Sequence, residues 1–136
     1  MKQEMFPPIP MLGVASMDTS HRVLFDAVEQ VLNAPDAKFT EFYSMLVASI
    51  ERDFAAEEQL MEEIDFSGLP AHREQHARVL GGLHISESRV RAGDITIGRE
   101  ALTFLLPWLQ VHIPTMDGAL AVALQLSEGS DPSGRF

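Results

Sequence analysis

Apolar residues recur at intervals of three or four along most of the chain, the spacing of amphipathic helices. No segment of useful length alternates apolar with polar residues as a half-buried strand would. Pro and Gly divide the pattern into four helices. The first is expected to start on Asp18, whose carboxylate can accept from the free N–H groups of a first turn, and to run to about residue 33, ahead of Pro35. The others are expected over about residues 38–65, 70–91 and 96–126. The joints at 33–36, 66–69 and 92–94 are short and contain Pro or Gly, so consecutive helices should be antiparallel neighbours. The fold class is therefore all-α, an up-down-up-down antiparallel four-helix bundle over residues 18–126. Ahead of it, residues 1–17 carry Pro7, Pro8 and Pro10 and should form an extended N-terminal arm with Phe6, Ile9 and Leu12 available to pack. Residues 127–136 should form a flexible tail.

The stripes carry more than apolar residues. The inward face of the second helix should read Phe39, Phe42, Leu46, Ile50, Asp53, Glu57, Leu60 and Ile64, which puts two carboxylates one turn apart on core positions. A buried carboxylate is expensive unless a cation or a proton compensates it. The third helix sets His72 and His76 on a face shared with Leu69, Leu80 and Leu83, and the first turns His21 inward with Leu24, Phe25, Val28 and Leu32. The fourth gives Ile97, Ala101, Phe104, Trp108 and His112, then resumes at Asp117, Leu120 and Leu124. The step from His112 to Asp117 is five residues, roughly 500° of rotation in a straight helix, which would carry Asp117 off the face. Pro114 lies between them and removes a backbone donor, so a π-type bulge and a kink are predicted there.

His21, Asp53, Glu57, His72, His76, His112 and Asp117 thus converge from every helix as candidate metal ligands. The chain has no cysteine, which excludes disulfides, iron–sulfur clusters and thiolate zinc and leaves nitrogen and oxygen donors. Imidazoles and carboxylates suit first-row ions such as iron, manganese or zinc. Seven ligands are too many for one ordinary ion, and two ions bridged by carboxylates fit the count. His84, near Gly81, Gly82 and Ser86, has no partner at ligand spacing and reads as solvated. The acidic run Glu57, Glu58, Glu62 and Glu63 reads as a solvated helix face, with Glu57 the exception.

Composition narrows the partners. A chain of 136 residues, 46% of them apolar, can build one core. A formal net charge of -10 repels phosphate backbones and anionic membranes, so neither nucleic acid nor a membrane is expected as a partner. The N-terminus lacks the apolar stretch of a secretory signal, and no run approaches the roughly 20 apolar residues of a membrane span, so a cytoplasmic location is expected. Nothing in the sequence singles out a protein partner.

Four ordered stretches resemble the hemerythrin family, in particular its single-domain bacterial members. They are Met-Asp-Thr-Ser-His ending on His21, Asp-Phe-Ala-Ala-Glu-Glu-Gln-Leu-Met from Asp53, His-Arg-Glu-Gln-His from His72, and Trp-Leu-Gln-Val-His-Ile leading to Asp117. The resemblance implies two iron ions with an oxo or hydroxo bridge, manganese or zinc being the alternatives. It carries His72, His76 and His112 onto one iron, His21 and the position of Asp53 onto the second, and Glu57 and Asp117 onto the bridging carboxylates. It further implies dioxygen bound at the second iron, in an apolar pocket that Trp108 and Leu109 would help to line. The pattern departs at Asp53, where the family has histidine. Asp53 could ligate directly, act through a water or swing towards solvent, and its added negative charge should favour the ferric state. The implied function is a non-haem di-iron protein for oxygen storage, delivery or sensing. A di-iron oxidase or peroxidase-like enzyme is the alternative that Asp53 motivates, and a partner-binding bundle with a structural metal is a third. A ferritin-like oxidase needs Glu three residues before His on two helices, and no histidine here has it.

Overall fold

The computed structural model describes residues 10–129, and every regular element among them is helical. α1 spans Ala15–Leu32, α2 Asp36–Glu63, α3 Leu69–Arg91 and α4 Ile95–His112. A π-helical turn, Ile113–Asp117, joins α4 to α5, Gly118–Gly129, so the fourth rod is a composite. α1 packs on α2, α2 on α3, α3 on α4 and α4 back on α1, with α2 and α4 meeting across the middle. This is the four-helix bundle that the apolar periodicity predicts. No helix among the described residues is long and apolar enough to cross a membrane.

The expectations for Phe6, Pro7, Pro8 and Ile9 of the arm, and for residues 130–136 of the tail, lie outside the described residues. Within them, both ends are more helical than expected. α5 continues to Gly129, and α1 begins at Ala15, ahead of Asp18. Asp18 is not the N-cap: it sits buried in the first turn, and its carboxylate accepts from the N–H groups of Leu12 at 2.8 Å and Gly13 at 3.1 Å. Gly13, at φ +82°, makes the turn that points these donors back at the helix, a conformation a side chain would strain. Leu12 does pack, half-buried, against the core.

The buried faces differ in phase from the predicted stripes. On α2 the core residues are Phe39, Tyr43, Leu46, Val47, Ile50, Phe54 and Met61, with Phe42, Leu60, Asp53 and Glu57 half-buried at the margin. On α4 the expected core residue Phe104 is 77% exposed, and Leu102, Leu105, Leu106 and Leu109 are buried instead. α4 is apolar on more than one side, so two phases fit its sequence. The phase that buries four leucines prevails, since each buried Leu contributes about 1.5–3 kcal/mol. The buried Tyr43 hydroxyl is satisfied by Ser86 Oγ at 2.6 Å. Arg99 ties α4 to the α1–α2 joint, donating to the carbonyls of Leu32 and Ala34 and lying 4.6 Å over the Phe39 ring.

Candidate metal centre

The i, i+4 spacing on α3 sets His72 and His76 on one face, their rings edge-on with centroids 4.5 Å apart. Opposite them, the π turn opens the fourth rod by the extra residue that a five-residue step requires. It brings Asp117 Oδ1 to 3.1 Å from His112 Nε2. The same oxygen is 2.9 Å from His72 Nε2, and Oδ2 is 3.0 Å from His21 Nε2. From α2, Glu57 Oε1 lies 3.2 Å from His76 Nε2 and 3.6 Å from His72 Nε2, and Oε2 lies 3.6 Å from His21 Nε2. The four imidazoles and Asp117 are buried, and Glu57 is half-buried.

Glu57, His72, His76, His112 and Asp117 each present one ligand atom, and these five atoms lie within 4.8 Å of one another. They crowd together, and only His72 and His112 pair, through their Nε2 atoms. His76 Nε2, Glu57 Oε1 and Asp117 Oδ1 are buried and have no hydrogen-bond partner, although each is near an oppositely polar atom. A buried polar group left unpaired costs about 1–3 kcal/mol. Groups aimed past one another at a common point are what ligands of one cation look like. His72 Nε2 and His112 Nε2 are 3.2 Å apart, close to the roughly 3.3 Å that separates two imidazole nitrogens held at about 2.0–2.1 Å on a tetrahedral ion. The donor set therefore fits a nitrogen- and oxygen-bound first-row metal.

Burial opposes charge on these groups, and their neighbours override it. The carboxylates of Asp117 and Glu57 raise the His21 and His72 imidazoles to about 9 despite burial. In turn His21, His72 and His76 hold Glu57 down at about 2, and His112, His21 and His72 hold Asp117 far below the usual carboxylate range. A metal can bind only the neutral imidazoles. At pH 7 loading should therefore release about two protons, from His21 and His72, and apparent affinity should rise with pH up to about 9. Calorimetric loading in two buffers of different ionisation enthalpy measures this. A heat independent of the buffer would contradict it.

A cavity of about 180 Å³ reaches the centre from the α1 and α2 side. Leu24, Phe54, Leu60 and Leu109 form apolar walls, while His21, Asp53, Glu57 and Asp117 face it, and the exposed Ser16 and Ser20 also line it. The sequence-predicted residues are thus divided. Five make the tight cluster, and His21 adjoins it through both carboxylates. Asp53 stands on the cavity wall outside the cluster, its carboxyl raised by burial and by the charge of Glu57. Leu109 lines this cavity, whereas Trp108, one turn from His112 on α4, stacks on that imidazole at 4.3 Å and 14° and faces the outer groove beside Phe104. His84 pairs with Glu51 at 2.8 Å on the surface.

Three residues near the centre escaped the sequence reading. Phe54 stacks on His76 at 3.8 Å and 7°. Glu58, placed on the solvated face, has Oε2 at 3.0 Å from His76 Nδ1, and Gln75 Oε1 is 2.9 Å from His112 Nδ1. The available signal was chemical: a ligating imidazole usually donates its other N–H to an oxygen, and Glu58 adjoins an inward carboxylate.

Residues 12–124 match the family profile described as Hemerythrin HHE cation binding domain. The chain is 33% identical over 106 residues to a bacteriohemerythrin of Ralstonia nicotianae, covering 78% of this chain and 77% of that protein. It is 26% identical to a bacteriohemerythrin of Methylococcus capsulatus over 77% of this chain and 83% of that one. With a myohemerythrin of Sipunculus nudus the identity is 30%, over 74% of this chain and 77% of the relative. No solved structure matches significantly. A helical bundle whose convergent imidazoles and carboxylates fall inside the matched residues, with these relatives, places the chain in the hemerythrin family.

Proposed function

We propose that this protein is a non-haem di-iron protein that binds dioxygen, serving its storage, delivery or sensing. The observation that carries this reading is the division of the Asp117 carboxylate: one oxygen faces His72 and His112, and the other faces His21. Glu57 is divided likewise between His76 and His21. His72, His76 and His112 would hold one iron, His21 would hold the second, and Glu57 and Asp117 would serve both. Ferrous iron, when bound, supplies electrons to dioxygen and a coordination position for it. The chain supplies the rest. Its two carboxylates offset the charge of the ions, and Leu24, Phe54 and Leu109 give the cavity apolar walls.

Anaerobic reconstitution with ferrous iron tests this by metal counting and by optical spectra as dioxygen is added and removed. Trp108 is the one tryptophan of the chain, and its stacking on His112 makes its fluorescence an internal report of loading. Two irons per chain and bands that appear with oxygen and vanish on its removal support the reading. Failure to take up two irons rejects it.

A redox enzyme, oxidase or peroxidase-like, is the second reading, favoured by the Asp53 carboxylate on the cavity wall. A negative charge beside the second iron favours the ferric form. Asp53→His is expected to slow conversion to the ferric protein in air. An unchanged rate and spectrum would remove Asp53 from the account.

A further inference from the structure

The four inward imidazoles are not held alike. His76 and His112 each have an oxygen acceptor on Nδ1, Glu58 and Gln75 respectively, whereas the buried Nδ1 atoms of His21 and His72 have no hydrogen-bond partner. Glu58 is itself clamped. Arg73 Nε donates to its Oε1 at 3.0 Å, and Arg73 Nη2 donates to Glu62 Oε1 at 2.7 Å. Arg73 and Glu62 are exposed, so a line of charge runs from solvent through Glu62, Arg73 and Glu58 to His76.

An ionised carboxylate can only accept, so Glu58 requires the proton on His76 Nδ1 and leaves the Nε2 lone pair directed at the centre. Gln75 Oε1 makes the same demand of His112 but carries no charge. Outer acceptors of this kind fix a ring's orientation and raise its basicity, and a carboxylate does so more strongly than an amide. The geometry points to Glu58 and Gln75 as positioning residues that make His76 the stronger and His112 the weaker donor of the same metal position, with Arg73 moderating Glu58 from the surface. This assignment rests on the reading of the cluster as a metal centre.

Ring nitrogen-15 spectra of the metal-free protein should show Nδ1 protons on His76 and His112 protected from exchange, and Glu58→Ala should lose protection at His76 alone. In the iron-loaded protein, Glu58→Ala should weaken iron retention against a chelator by about 10–100-fold. Glu58→Gln keeps an acceptor and removes a charge, so it should retain most of the affinity and raise the midpoint potential. Gln75→Glu and Arg73→Ala should lower it. Unprotected Nδ1 protons in the wild type, or unchanged iron retention in Glu58→Ala, would overturn the positioning role. Unmoved potentials in Glu58→Gln and Arg73→Ala would overturn the electronic role, and both changes lie towards the surface, so they decide the matter even where Glu58→Ala fails to fold. Should the wild type take up no iron, the donor ranking falls with the metal-centre reading, while the Nδ1 protons of the metal-free protein still decide whether Glu58 and Gln75 orient the two rings.

Discussion

Replacing Asp117 with asparagine is expected to lower iron retention more than ~100-fold and to leave no dinuclear form. Loss of an outer acceptor alone costs about 10–100-fold, and Asp117 stands within 3.1 Å of three imidazole nitrogens. Asparagine keeps the shape and removes the charge. The metal-free protein should respond too, with a pH dependence fixed by linkage. His21 and His72 have folded values raised to about 9 by Asp117 and Glu57. Their pairing therefore stabilises fully below the unfolded value of about 6.5 and is lost as pH rises through about 9. At pH 6 the variant should be less stable than the wild type, by up to about 3–5 kcal/mol for a broken buried pair, and by less where the imidazoles release their protons. At pH 10 the gap should close. Chelator competition followed by Trp108 fluorescence, with thermal unfolding at the two pH values, checks both claims. A variant that retains two irons as tightly as the wild type would remove Asp117 from the centre.

The position of Asp117 was legible because its irregularity was local. A five-residue step with Pro114 inside it can restore the inward face in few ways, and the chain takes the π turn, Ile113–Asp117. His72 and His76 were legible for the opposite reason, being regularly spaced on one face with Leu83. Where two phases fit, the pattern failed. Phe104 and Leu105 are adjacent, both are apolar, and only packing against three other helices decides which goes in. Glu58 failed differently. Its role depends on His76 approaching from α3, and a contact between helices leaves no trace in the periodicity of either one. Asp53 shows both limits, since its spacing places it on the stripe and the rotation of α2 leaves it at the margin, on the cavity wall.

At two helical glycines, Gly81 on α3 and Gly98 on α4, the same substitution is expected to have opposite signs. Gly81 lies in the interior of α3, where an added Cβ would meet nothing within 4 Å. Gly81→Ala should stabilise the protein by about 0.5–1 kcal/mol through helix propensity and a less free unfolded chain. At Gly98 on α4, side chains of α2 and α3 close in on the backbone. A Cβ there would stand 2.6 Å from Val90 Cγ2 and 2.7 Å from Phe39 Cε1. Neither neighbour can yield easily: Val90 is 1% exposed, and Phe39 is fully buried, with Arg99 over its ring. Overpacking of this kind costs about 1–3 kcal/mol, occasionally more, against a propensity gain of about 1 kcal/mol. Gly98→Ala should therefore be a net loss. Gly98→Val, which adds two further carbons and gives up most of the propensity gain, should lose about 3 kcal/mol or more. For a chain of this length that corresponds to a Tm lowered by roughly 10 °C. Because α4 carries the fault at its first turns and His112 at its last, the folded fraction of Gly98→Val should still load iron in the wild-type ratio. A Tm equal to the wild type would show that the helices can part at this crossing without strain, and loss of loading in fully folded Gly98→Val would show that the fault spreads along α4 to His112.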